Sequence, residues 1–273
     1  MKKIVRTLAA CALALTAQTA WATPSTLFWT PATTYVQPFL IPHITYDSYF
    51  GDRAALPTTL GLTMGVLPFE KFQAEVGIDA FLPYAGGYFL SPAGPLQLSA
   101  KFGLVEGAYG EWFPGITAGI YGVGFTSGTS FDILHAEIGK TFFFGGITVG
   151  GYYGAGGGNA LWTDSAGVLQ TRGGFIGSYI TPDIVFDLKG LNKINFFADI
   201  QTGKNALGAV AAGVGFYFTP SIDILTGPVF FLNKNAQPGG QSIMWSVQLD
   251  VDIDFGQAPK PPPEPAKAEP AKS

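Results

Sequence analysis

Trp245-Ser246-Val247-Gln248-Leu249-Asp250-Val251-Asp252-Ile253-Asp254-Phe255 alternates without a break. Trp245, Val247, Leu249, Val251, Ile253 and Phe255 fall on one side, and Ser246, Gln248, Asp250, Asp252 and Asp254 on the other. A period of two is a strand with two chemically different faces. The same pattern recurs upstream. Phe72, Ala74, Val76, Ile78, Ala80 and Leu82 oppose Gln73, Glu75, Gly77, Asp79 and Phe81. Leu96, Leu98, Ala100, Phe102 and Leu104 oppose Gln97, Ser99, Lys101 and Gly103, and around His135 the apolar Leu134, Ala136 and Ile138 oppose His135, Glu137 and Gly139. No helical stripe of useful length follows the first residues.

Alternation alone fits any half-buried sheet, because a soluble sandwich and a membrane barrel differ only in which face is inside. Three further features decide it. Lys2, Lys3 and Arg6, the apolar run from Thr7 to Ala20 and the Ala20-Trp21-Ala22 site form a secretory signal, read as residues 1–22 with cleavage after Ala22. A competing box, Leu8-Ala9-Ala10-Cys11, matches lipoprotein processing, but only four residues separate Arg6 from Cys11. Charged residues are 12% of the chain, against about 25% in soluble proteins. Aromatic residues gather at strand ends, at Tyr49-Phe50, Phe142 to Phe144, Tyr152-Tyr153, Phe216 to Phe218 and Phe230-Phe231, as interfacial girdles require. An open sheet edge has no partner in lipid, so the sheet must close.

These features predict an all-β protein, a transmembrane up-and-down antiparallel barrel of about twelve strands. The pieces lie near 43–50, 59–67, 72–82, 95–104, 116–125, 131–142, 146–154, 173–180, 194–201, 207–218, 221–232 and 242–255. Pro68 to Lys71, Phe144-Gly145 and Thr219-Pro220 are tight turns on one side, and Pro83 to Gly94 and Ala155 to Arg172 are long loops on the other. Val105 to Gly115 and Thr181 to Lys193 are long connections on the supposed short side. Ahead of the barrel (43–255) runs a lead segment, 23–42, whose prolines at 24, 31, 38 and 42 argue against a central strand. Part of it is expected to plug or line the lumen, with a narrow pore favoured over a plugged one.

The aromatic last strand ending at Phe255 resembles the C-terminal signal by which outer-membrane barrels are recognised for assembly. The stretches Val66 to Phe72 and Phe113 to Tyr121 are similar to a group of poorly characterised porin-like barrels of Gram-negative bacteria. That resemblance implies the outer membrane, lipid and the barrel assembly machinery as partners, and both termini in the periplasm. Such barrels usually stop at the terminal Phe. This chain continues for 18 residues, 256–273, as a proline-rich tail read as a periplasmic extension.

Chemistry has few footholds. The only cysteine leaves with the signal, and so do three of the 15 basic residues but none of the 19 acidic ones. The remaining 12 basic against 19 acidic residues give a net charge of −7, which argues against nucleic acid. His135 could serve a hydrolase with Ser99 or Ser130, but nothing in the spacing requires it; no enzyme and no cofactor are expected. Asp250-x-Asp252-x-Asp254 resembles the start of a calcium loop, yet Phe255 and Pro261 stand where that loop needs Gly and Glu. Gly150 to Gly158 lacks the Lys-Ser/Thr of a phosphate cradle. What remains is the polar face. With the apolar face toward lipid, the lumen receives Asp47, Glu75, Asp79, Glu137, Asp199, Asp223, Asp250, Asp252 and Asp254, with Lys101 the one strand cation among them. The function this predicts is passive diffusion of small solutes, cations preferred. The alternative is a structural barrel that displays surface loops and the tail.

Overall fold

In the computed structural model, residues 25–52, 58–82 and 96–255 are described. The signal, 1–22, and the tail, 256–273, lie outside them. Twelve strands close into one antiparallel barrel: β1 (Pro42–Gly51), β2 (Thr58–Gly65), β3 (Phe72–Leu82), β4 (Leu96–Leu104), β5 (Gly115–Gly124), β6 (Ile133–Phe142), β7 (Gly145–Gly154), β8 (Gly173–Ile180), β10 (Leu191–Gln201), β11 (Ala209–Thr219), β12 (Ile222–Phe231) and β13 (Ile243–Asp252). Each pairs with the next, and β13 closes on β1 from His43↔Asp252 to Gly51↔Met244. Closure leaves no edge for lipid to face.

A thirteenth strand, β9 (Ile184–Leu188), lies where the sequence predicts only a long connection. It pairs with the first residues of β10 (Lys193↔Val185), while β8 pairs with the last ones (Phe197↔Ile180). The 181–193 stretch is therefore a hairpin extending from the wall.

Polarity runs opposite to that of a soluble protein. Val76, Leu98, Ile116, Leu134, Ile138, Val149 and Leu249 point outward and are exposed, while Thr45, Asp47, Glu75, Lys101, Thr117, Glu137 and Gln248 are buried inside. Water does not tolerate such an exterior; hydrocarbon requires it. Exposed aromatics mark both rims. Phe50, Tyr153, Phe175, Phe230 and Trp245 sit at one, and Phe72, Phe142, Phe143, Phe144 and Phe218 at the other. Strands of about ten residues, rising roughly 3.3 Å per residue and tilted, set these girdles about 25 Å apart. We name the rim holding Pro42 and Asp252 proximal, and the other distal.

Candidate functional site

The lumen is occupied. The lead segment rises inside the barrel to the level of the distal loops at Trp29 and returns to the proximal rim at Pro42. It has no ladder of its own apart from one bridge, Phe39↔Gly65, so the wall must satisfy its backbone. Carboxylates do much of this. Glu75 accepts from the Ser25 N–H at 2.7 Å, the Ser25 hydroxyl at 2.9 Å and the Gln37 N–H. Lys101, opposite Glu75 in the β3–β4 register, donates to the Ser25 carbonyl at 2.9 Å. Asp199 accepts from the N–H groups of Trp29 and Thr30 at 2.8 and 2.9 Å. Charge-assisted bonds of this kind are roughly twice as strong as neutral ones. Gln248 donates to the Phe28 carbonyl and Ser178 to that of Ala32.

Apolar packing completes the seat. Phe28 meets Phe197 at a ring distance of 4.7 Å, and Trp29 stands edge-on to Tyr49 and Phe231. Ala209, Ala211, Leu225, Val229 and Met244 line the wall beneath them. Near the proximal rim the lead passes so close to β2 that a side chain at Gly65 would strike the carbonyls of Gln37 and Pro38. Only glycine fits there.

Above Phe28 and Trp29, the distal loops fold together. Ser165 N–H donates to the Asn235 carbonyl, Ala206 N–H to that of Leu161, and Gln237 to that of Ala206. Trp162 and Leu161 are buried beneath them with Phe131, Ile133 and Tyr152.

The predicted lumenal residues fall into separate settings. Glu75, Asp199 and Lys101 are buried and hold the lead segment. Glu137 pairs with His135 through Nδ1 at 2.6 Å and accepts from Thr117; the His135 ring lies over Gly119, where a side chain would collide with it. Asp47 and Asp79 are buried higher on the β1–β3 wall. Asp223, Asp250 and Asp252 are half-buried at the proximal rim around His43, which bonds Asp252 at 2.9 Å and lies 3.5 Å from Asp250. Asp254 lies beyond the end of β13 and is exposed. The Ser130 hydroxyl is bonded to Asp132 and the Gly124 N–H.

The sequence reading missed a second inner-face cation, Lys193. It lies on the Asp199-Phe197-Asn195 face of β10, bonds Asp183 at 2.6 Å and stands over the Tyr217 ring. Extending that alternation two residues back would have found it.

Between the lead segment and the wall, a half-open cavity of about 460 Å³ lies at the proximal end. Tyr35, Val36, Gln73, Glu106, Lys140 and Thr148 are among the residues that line it. Burial would raise the Glu106 carboxyl, but Lys140 at 2.9 Å and both the N–H and hydroxyl of Thr141 hold it below the usual range. A depressed carboxylate stabilises at pH above its unfolded value and stops doing so as pH falls through the folded one. The 105–114 connection thus stays tied to β6 at neutral pH.

The fold and its interior define a closed twelve-stranded barrel of inverted polarity with its own N-terminal segment seated inside. No protein-family model matches the chain, and no curated protein is significantly similar to it. Among solved structures, the chain is similar to an outer membrane channel from Pseudomonas putida F1. That likeness has a TM-score of 0.41 at 12% identity, covering 80% of this chain and 97% of that one. A structure from work on in-meso crystallization of membrane proteins gives 0.43 at 11% identity, covering 79% of this chain and 86% of that one.

Proposed function

We propose that the protein is an outer-membrane channel of a Gram-negative bacterium, exported by the signal at 1–22, with both termini in the periplasm. The observation that carries this is the proximal cavity. It is room for solute within a barrel whose outside suits lipid, lying between the lead segment and the wall of β3 and β6 to β8. Small solutes pass between that segment and the wall. The exposed Phe255 after β13, the strand that closes the barrel, supports recognition by the assembly machinery.

The pore prefers cations. Lumenal acids engaged by the lead segment or by His135 contribute little field to a passing ion. At the proximal rim Asp252 is also engaged, by Gln37 of the lead segment and by His43, which leaves Asp223 and Asp250 as the rim acids that the lead segment does not hold, and a low-dielectric mouth focuses their potential. The acids to neutralise are therefore those of the rim. In a KCl gradient across a planar bilayer, the wild type is expected to give a cation-selective reversal potential. The Asp223→Asn, Asp250→Asn, Asp252→Asn variant is expected to move toward zero. At about 1 M salt, where the screening length is roughly 3 Å, the two should converge. Anion preference in the wild type, or an unmoved potential in the variant, rejects the mechanism. A structural barrel is the second reading, favoured by the packed distal loops, and absence of conductance would select it.

A further inference from the structure

The lead segment and the loops at the distal end meet at one short connection. Residues 202–208 join β10 to β11, and Asn205 at their centre is fully buried. Its amide donates to the Tyr152 hydroxyl and to the Thr171 carbonyl, each at 2.8 Å. Its Oδ1 accepts from the N–H groups of Leu207 and Gly208 at 3.0 and 3.1 Å. Both long distal loops are tied to this turn. Ala206 N–H donates to the Leu161 carbonyl in the 155–172 loop; from the 233–242 loop, Asn233 donates to the Lys204 carbonyl and Gln237 to that of Ala206. The tip of the lead segment is tied there too. The Trp29 indole N–H donates to the Leu207 carbonyl at 2.8 Å, and Asp199, two residues before β10 ends, takes the Trp29 and Thr30 N–H groups. The Trp29 ring stands against Phe231, the last residue of β12, and Ala32 packs in one cluster with Leu161, Trp162 and Ala206.

We propose that the lead segment and the distal loops are one gate, coupled through the Trp29–Leu207 bond: the loops part when the tip of the lead leaves its seat and close when it returns. The loops are poised for this. Gln241 is fully buried with neither its Oε1 nor its Nε2 bonded among the described residues, and the buried Trp162 indole N–H has no acceptor among them either. Such groups penalise the closed arrangement, and opening gives them water. The bonds at 202–208 offset that penalty, and Trp29 supplies one of them from inside the barrel. Coupling between two elements is reciprocal. If a seated lead favours closed loops by some factor, closed loops favour the seated lead by the same factor. A solute that displaces the lead from the proximal side therefore opens the distal end. As a gate for solute this rests on the channel reading; the coupling itself does not.

Hydrogen exchange, read by mass spectrometry on the mature protein in lipid vesicles, tests the coupling from both ends. Trp29→Phe keeps a ring against Tyr49 and Phe231 while removing the indole N–H. Peptides covering 160–171 in this variant are expected to exchange about threefold to tenfold faster than in the wild type, the range that one lost hydrogen bond carries. Gln237→Leu is the reverse experiment. It cuts the bond from the 233–242 loop to Ala206, and the amides of Trp29 and Thr30, on the lead, should then exchange faster. Faster exchange confined to the lead in Trp29→Phe, or confined to the loops in Gln237→Leu, would overturn the proposal; where one variant does not fold, the other decides. Single-channel recording keeps the two readings apart. Longer open dwells are expected from Trp29→Phe, and unchanged dwells in a conducting variant overturn the gate. Conductance from neither form rejects the channel reading, while the exchange rates still decide the coupling.

Discussion

Replacing Glu75 by Gln is expected to destabilise the folded protein by about 3–5 kcal/mol, the usual cost of breaking a buried charge arrangement by removing one partner. Glu75 is 1% exposed and accepts three hydrogen bonds from the lead segment; Lys101, opposite it, is 0% exposed. The variant leaves the lysine in a water-free wall without the carboxylate across from it. It also offers an amide where Ser25 and Gln37 need acceptors. Urea unfolding of the barrel in vesicles measures the cost, and limited proteolysis reports release of the lead segment. Adding Lys101→Met to Glu75→Gln removes the stranded charge, so the pair should cost less than the sum of the single changes. A cost below about 1 kcal/mol for Glu75→Gln, in the range of a surface pair, would show that these residues do not hold the lead.

The second large effect is on the outside. Val247 points outward in the middle of β13, opposite Ser48 and Thr226, whereas Val251 is the last but one residue of the strand. An arginine at the midplane of a barrel's lipid face costs about 2–4 kcal/mol, and one near an interface about 0–1. Val247→Arg is therefore expected to cost the larger amount and Val251→Arg the smaller. Asp252→Asn, on the inner face, keeps the Oδ1 acceptor for Gln37 and His43 and should assemble normally. Equal losses from Val247→Arg and Asp252→Asn would mean that the faces are reversed.

The outer face was legible in the sequence because lipid makes the same demand of every strand. In β3, β4 and β13 each outward position is apolar, each inward one is mostly polar or small, and the period stands clear. That reading also placed the acids and Lys101 inside. The occupant of the lumen was harder to see. Phe28 and Trp29 bury themselves against Leu225, Val229 and Phe231, so the inner face of β12 is apolar where they lie, and alternation fades when both faces are apolar. Prolines marked the lead segment as no strand, but backbone N–H groups, which no sequence displays, are what Glu75 and Asp199 hold. The β9 strand escaped for a related reason. It is five residues long, pairs only with the start of β10, and leaves Ile184, Val185 and Leu188 exposed, so no burial pattern separates it from a turn.

The lead segment, seated inside the barrel, is expected to set the resistance of the pore. Twelve strands lie between the eight that side chains fill and the sixteen that leave a water channel. What occupies the middle should then decide conduction. The direct measurement is single-channel conductance in a planar bilayer for the mature protein and for the protein lacking residues 23–36. The β13–β1 seam and every other strand pairing survive that deletion, since none includes those residues. Small steps from the intact protein and steps several-fold larger from the shortened one are expected. Unchanged steps after deletion, or no conductance from either form, would contradict the account.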